Sequence, residues 1–194
     1  AFKGVPFNGP SGRFVVLDVT FQFRLGELSA PIGYADLARG LGIEVGARVP
    51  LTQARVAVLE QRRRRGMVLD DADHDTWSAG SFFTNPVLGA DALADLRSRL
   101  VDRLGEGVQP PLFSTDDGST KTSAAWLIER AGFGRGHGLP GPAALSTKHT
   151  LAITNRGGAR AQDVVALARQ VRDGVREAFG VDLVAEPVLV GLEL

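Results

Sequence analysis

The 194-residue sequence contains no cysteine. That excludes a disulfide framework, thiolate metal sites and a cysteine nucleophile. Neither sign of charge is in excess, since Lys plus Arg and Asp plus Glu both number 22. Broad, unspecific nucleic-acid binding normally brings a basic surplus, so no nucleic-acid partner is expected. No run of about 18 apolar residues occurs, and no membrane span or membrane partner is expected. No secretory signal is apparent, which makes the cytoplasm the expected compartment. Lysine is scarce: Lys3, Lys121 and Lys148 are the only ones, and arginine supplies the other basic residues. Tyr34 is the single tyrosine.

Hydrophobic residues make up 44% of the chain, enough to bury a real core, and the 24 glycines imply tight turns or close backbone approaches. Residues 14–25 alternate, with Leu17, Val19, Phe21, Phe23 and Leu25 on one face and Asp18, Thr20, Gln22 and Arg24 on the other. This is the pattern of a half-buried strand. Residues 1–13, with Pro6, Gly9, Pro10 and Gly12, read as a loop. Helices are expected over 34–41, closed by glycines 40 and 42, and from Thr52 to Arg64. In the second, Thr52 is the expected cap, Val56 and Leu59 face inward and Gly66 is the stop. Further helices are expected over 92–104 with Asp91 as cap, over 123–131 around Trp126, and over 162–179 along a stripe from Val164 to Phe179. Strands are expected over 150–155 and 182–193, the latter interrupted by Pro187. Strands and helices mix without a regular βαβ beat, so the fold class is α+β.

Several clusters invite a chemical reading. Asp70, Asp71, Asp73, His74 and Asp75 could form a metal site, but no calcium-loop spacing is present and a solvated loop is the favoured reading. On a helix Arg62 and Arg65 fall on nearly the same face, so the Arg62–Arg65 run could converge on an anion or simply end a solvated helix. The glycine-rich stretch 132–138 does not lead from a strand into a helix, which makes it a weak dinucleotide fingerprint and a better flexible loop carrying Arg135. His137 within it reads as exposed. Ser81, in Ser78-Ala-Gly-Ser-Phe-Phe-Thr-Asn85-Pro86, has small residues before it and two aromatics behind it. No nucleophile elbow surrounds it, so it fits a hydrogen-bond or proton donor. Blandly, the stretch is a strand entering a turn. Glu186, alone in Leu-Val-Ala-Glu-Pro, is a candidate for acid/base or anion-orienting work.

In this order, the segments at Ala30–Leu37, Arg62–Asp70, Ala79–Pro86, Ala124–Phe133, Ser146–Asn155 and Leu183–Pro187 resemble the UDP-N-acetylmuramate dehydrogenase family, also called UDP-N-acetylenolpyruvoylglucosamine reductase. The resemblance runs along essentially the whole chain, and the wording is most similar to the actinobacterial branch. It implies an enzyme that takes hydride from NADPH onto FAD and reduces UDP-N-acetylglucosamine enolpyruvate to UDP-N-acetylmuramate, a cell-wall precursor. By resemblance, Ser81 is the proton donor and Glu186 binds and polarises the carboxylate end. Asn85 and Lys121 lie on the substrate side, Tyr34 covers the uridyl moiety and His149 contacts the nucleotide. Arg65, near the diphosphate, and Arg135 stand where the family usually has lysine. No metal is implied. The resemblance further implies that residues 1–30 are the tail of an FAD-binding domain and 31–194 the substrate-binding C-terminal domain. The flavin half and its catalytic arginine would lie ahead of Ala1, in a missing or separate half, and this chain alone would not retain FAD. A UDP-sugar-binding remnant without redox activity is the alternative, and a protein that keeps only the fold is a more distant one.

Overall fold

A computed structural model describes residues 17–194. The chain divides into two compact units after Val68.

In the first unit, helix α1 spans Ala35–Leu41 and helix α2 spans Leu51–Arg64. Gly42, at φ 69°, closes α1, while Gly40 lies inside the helix. Helix α2 starts on Pro50, so Thr52 is a helical residue and not the cap. Its end is a Schellman turn: the Met67 amide donates to the Arg62 carbonyl at 2.8 Å and the Gly66 amide to the Arg63 carbonyl at 3.0 Å. The expected inward face is only partial: Val56 is exposed, Leu59 is half-buried and no residue of α2 is fully buried. The apolar centre here is small: Ile32, Leu37 and Ala38, with Leu41, Ile43 and Ala57 against them.

Residues 1–13, and the start of the expected 14–25 strand, lie outside the described residues. The described remainder, 17–25, forms no strand, and all five residues of its apolar face are exposed. Alternation specifies two faces but supplies no neighbouring strand for the backbone.

The second unit, Leu69–Leu194, holds the larger core. Strands β1 (Ser78–Ser81), β5 (Ala143–Leu145) and β6 (Ala152–Asn155) form one antiparallel sheet in the order β1-β6-β5. Strands β2 (Val87–Leu88), β3 (Leu112–Ser114) and β4 (Thr120–Thr122) form a second, in the order β2-β4-β3. Helices α3 (Ala90–Leu104), α4 (Ala124–Arg130) and α5 (Ala161–Phe179) complete the unit. The α+β expectation holds.

Helix α5 organises the core. It buries Val165, Leu167, Ala168, Val171, Val175, Ala178 and Phe179, and touches β5, β6, α3 and α4. Each large apolar side chain buried this way contributes about 1.5–3 kcal/mol. Helix α3 adds Leu96 and Leu100, but its cap is Gly89, and Asp91 sits in the first turn, where its charge favours the helix dipole. In α4 the Ser123 hydroxyl accepts from the Trp126 amide at 3.3 Å. The expected 182–193 strand is reduced to a single bridge between Ala185 and Phe83. Pro187 has no amide to extend the ladder.

Candidate functional site

Strand β1 contains a bulge. Ser78 pairs with Thr154 and Ser81 with Ala152, so one extra residue sits on the β1 side. Gly80 absorbs it at φ 86°, and its amide donates to the Ser78 hydroxyl at 3.2 Å. Because side chains alternate along a strand, the extra residue decides which face Ser81 takes.

The segment after Ser81 acts as a hub. The Phe82 amide donates to the Leu151 carbonyl at 2.8 Å, and the Glu186 amide donates to the Phe82 carbonyl at 2.9 Å. The Thr84 amide donates to the Val184 carbonyl at 2.9 Å. The Phe82 and Phe83 rings, both buried, meet edge to face at 5.1 Å and anchor the segment in the core. Ser81 and Glu186 are therefore brought together through Phe82. Glu186 is exposed, so the apolar residues around it in sequence do not bury it.

Further along, the Thr122 amide donates to the Pro86 carbonyl at 3.0 Å, and Val87 pairs with Lys121. The Asn85 side-chain oxygen accepts from the Ala124 amide at 3.0 Å, satisfying one of the free donors that open α4. Asn85 and Lys121 thus flank the same hub, both exposed.

Two loops reach the Ser81 end of the first sheet. The β5–β6 turn, 146–151, carries His149, whose carbonyl accepts from the Ala152 amide at 3.0 Å. The glycine-rich loop carries Arg135 and is tied to the end of β5: the Gly136 amide donates to the Leu145 carbonyl at 3.1 Å, and the Leu145 amide to the His137 carbonyl at 2.8 Å. Arg135 is exposed, while His137 is half-buried against the Phe133 ring at 4.9 Å, contrary to its expected exposure. The loop follows a helix, not a strand, so it is no dinucleotide turn.

Beside β1 lies an apolar groove of about 700 Å³, lined by Trp77, Ala79, Phe82, Ile153, Val164 and, from the C-terminal stretch, Pro187 to Val190 and Leu192, among other residues. Its lining takes in residues on both sides of Ser81 and the residue after Glu186.

Tyr34 and Arg65 belong to the first unit. Tyr34 precedes α1 and is 81% exposed. Arg65 follows α2 and pairs with Asp36 at 3.6 Å. A polar cleft of about 400 Å³ there is lined by Asp36, Arg39, Glu60, Gln61, Arg64 and Arg65, with Gly40 and Ala57. Of the two readings left open for the Arg62–Arg65 run, convergence of Arg62 with Arg65 is not what the cleft shows, since Arg62 does not line it. Arg65 leaves the helical path at φ −97°, ψ 4°, and Arg39 and Arg64 share the cleft with it instead.

The acidic segment divides. Asp70 and Asp71 are exposed, as a solvated loop requires, but Asp75 is only 4% exposed. Its carboxylate accepts from the Thr147 amide at 2.9 Å, from the Thr147 hydroxyl and from the Arg156 guanidinium at 2.9 Å. Burial pushes the Asp75 carboxyl up, yet the Thr147 hydrogen bonds and the Arg156 charge outweigh it and hold the group below its ordinary value. Removing one partner of such a buried pair costs about 3–5 kcal/mol. Asp73 pairs with Lys148, whose hydrogen bond lowers the Asp73 carboxyl and raises the lysine. Among the described residues no cluster of three or more His, Asp or Glu could hold a metal ion. The solvated-loop reading therefore fails at Asp75, and its links to Thr147 and Arg156 carry no sign in the sequence, because an acid in an acidic loop shows no mark of burial.

Comparison with known proteins identifies the family. Residues 71–190 match the family described as UDP-N-acetylenolpyruvoylglucosamine reductase, C-terminal domain. The chain is 58% identical to the UDP-N-acetylenolpyruvoylglucosamine reductase of Streptomyces coelicolor over 195 residues, covering all of this chain and 51% of that protein. Identity to the Thermobifida fusca reductase is 58% over 194 residues, covering 54% of it. The Cutibacterium acnes reductase is 51% identical over 192 residues, with 48% of it covered. The chain thus spans about half the length of the curated relatives it matches. It belongs to the UDP-N-acetylenolpyruvoylglucosamine reductase family, matched through that family's C-terminal domain.

Proposed function

We propose that this chain is the substrate half of an NADPH- and FAD-dependent reductase that converts UDP-N-acetylglucosamine enolpyruvate to UDP-N-acetylmuramate for peptidoglycan synthesis in the cytoplasm. In this reading residues 1–30 end a flavin-binding domain and 31–194 bind substrate. In this reading the flavin is held by a companion half. When bound there, the flavin supplies the hydride.

This chain's residues handle the proton and the substrate. Reduction of an enolpyruvyl double bond builds enolate charge toward the carboxylate and leaves a carbon to be protonated. Ser81 is the proton donor, and Glu186 orients and polarises the carboxylate end. Asn85 and Lys121 hold the substrate from the neighbouring strand, and Arg135 and His149 contact it from the two loops. Tyr34 and Arg65 contact the uridyl and diphosphate portions.

The observation that supports this reading best is the pairing of the Glu186 amide with the carbonyl of the residue after Ser81, at 2.9 Å. Two groups 105 positions apart, both given reactive roles in this reading, share one backbone junction. The test is Ser81→Ala in this chain joined to the N-terminal half of the Streptomyces coelicolor relative. Flavin reduction by NADPH should stay intact, while substrate reduction falls by on the order of 100-fold or more. Unchanged turnover would remove Ser81 from its role.

A further inference from the structure

We propose that Asp75 is a positioning residue for ligand binding: it holds the 146–150 turn, and through it His149, in the geometry that receives the nucleotide portion of the substrate. The proposal rests on the functional reading above, which gives His149 its nucleotide contact.

The turn is pinned from below at each step. The Thr147 amide and hydroxyl both donate to the Asp75 carboxylate, which also receives the Arg156 guanidinium. The Ser146 hydroxyl, fully buried, accepts from the Lys148 amide at 3.0 Å and from the His149 amide at 3.3 Å. Lys148 closes onto Asp73, two residues before Asp75. At the far end the Thr150 hydroxyl donates to the Glu129 carboxylate at 3.2 Å. A turn carrying a ligand contact has few apolar contacts of its own, so its geometry depends on such bonds. Asp75 takes two of these bonds, both from Thr147, and adds the Arg156 guanidinium to the same carboxylate. It is held in a 3-10 turn, His74–Thr76, capped by the Asp73 side chain, which accepts from the Asp75 amide at 3.0 Å. Asp75 itself is buried beneath the turn and is assigned no substrate contact.

Two measurements on the 194-residue chain test this. The first is amide hydrogen exchange, which needs no ligand. Asp75→Asn should speed exchange at Thr147, Lys148 and His149 by about tenfold or more while leaving β5 slow. Exchange unchanged in the turn would overturn the proposal. The second is calorimetric titration with UDP-N-acetylglucosamine. Asp75→Asn should raise Kd by about tenfold at unchanged stoichiometry, whereas a purely structural defect would lower the stoichiometry. In a His149→Ala background the same substitution should change Kd by less than about twofold. An undiminished effect there would overturn the proposal. Thr147→Val, which spares the buried Asp75–Arg156 pair, should reproduce the Kd change in part even where Asp75→Asn folds poorly, and a wild-type Kd for it would count against the proposal. Failure of the wild-type chain to bind the nucleotide sugar would overturn the functional reading itself, and the ligand role of Asp75 with it. The exchange data would still decide whether Asp75 holds the turn.

Discussion

Gly80→Ala isolates the bulge that sets the direction of Ser81. Gly80 has a φ of 86°, and a Cβ built on it meets nothing within 4 Å. No clash adds to the cost and no new contact offsets it, so the whole effect is backbone strain. A Cβ in left-handed backbone costs about 1–2 kcal/mol. At roughly 2–4 °C per kcal/mol for a chain of this size, Tm should fall by about 2–8 °C. Gly158 is the matched control. Its surroundings are equally open, its φ lies outside the left-handed region, and its amide bond to Asn155 at 3.0 Å survives the substitution. Gly158→Ala should stabilise by about 0.4–1 kcal/mol, because it restricts the unfolded chain. The assay is a pair of thermal melts followed by circular dichroism, supported by urea midpoints. Opposite signs at the two positions are expected. A neutral Gly80→Ala, or one that matches Gly158→Ala, would refute a bulge locked by a left-handed glycine.

Two further predictions concern the supports of the site. The carboxyls of Asp73 and Asp75 lie below their ordinary value of 3.8, so each contributes stability that is present above that value and lost as pH falls through the lower folded value. Urea midpoints should therefore drop below roughly pH 4, and Asp75→Asn should flatten that drop; an equally steep acid limb in the variant would contradict the assignment. Gly174→Ala in α5 should destabilise even though alanine gains about 1 kcal/mol in a helix. The new Cβ would meet Phe133 ring carbons at 2.4 Å, and overpacking costs about 1–3 kcal/mol. In a Phe133→Leu background the sign should reverse, which urea unfolding would reveal.

The parts of the fold that were legible in the sequence are those with long periodic signals. The stripe from Val164 to Phe179 and the Leu96–Leu100 spacing specify α5 and α3 almost to their ends, because burial of one face decides them. The helix caps differ from those the sequence predicts at Thr52 and Asp91, since Pro50 and Gly89 fill the positions that a side-chain rule assigns to polar residues. Strands of two to four residues such as β2, β4 and β5 are too short to show a period. Residues 17–25 and 182–193 show the opposite failure: strand-like composition, but hardly any ladder. At the proposed site, Ser81 and Glu186 stand out from their sequence surroundings and Asn85, Lys121, Arg135 and His149 by resemblance, and backbone pairing links the segments that carry Ser81, Glu186, Asn85 and Lys121. The Asp75 network was invisible because Lys148 and Arg156 lie 75 and 81 residues from their partners.

The most direct test of a substrate half is titration of the purified chain with UDP-N-acetylglucosamine, after an absorbance spectrum. The expected result is a colourless protein that binds the nucleotide sugar saturably, with Lys121→Ala weakening binding by about tenfold. A yellow flavin spectrum, or a colourless chain that binds no nucleotide sugar, would contradict the account.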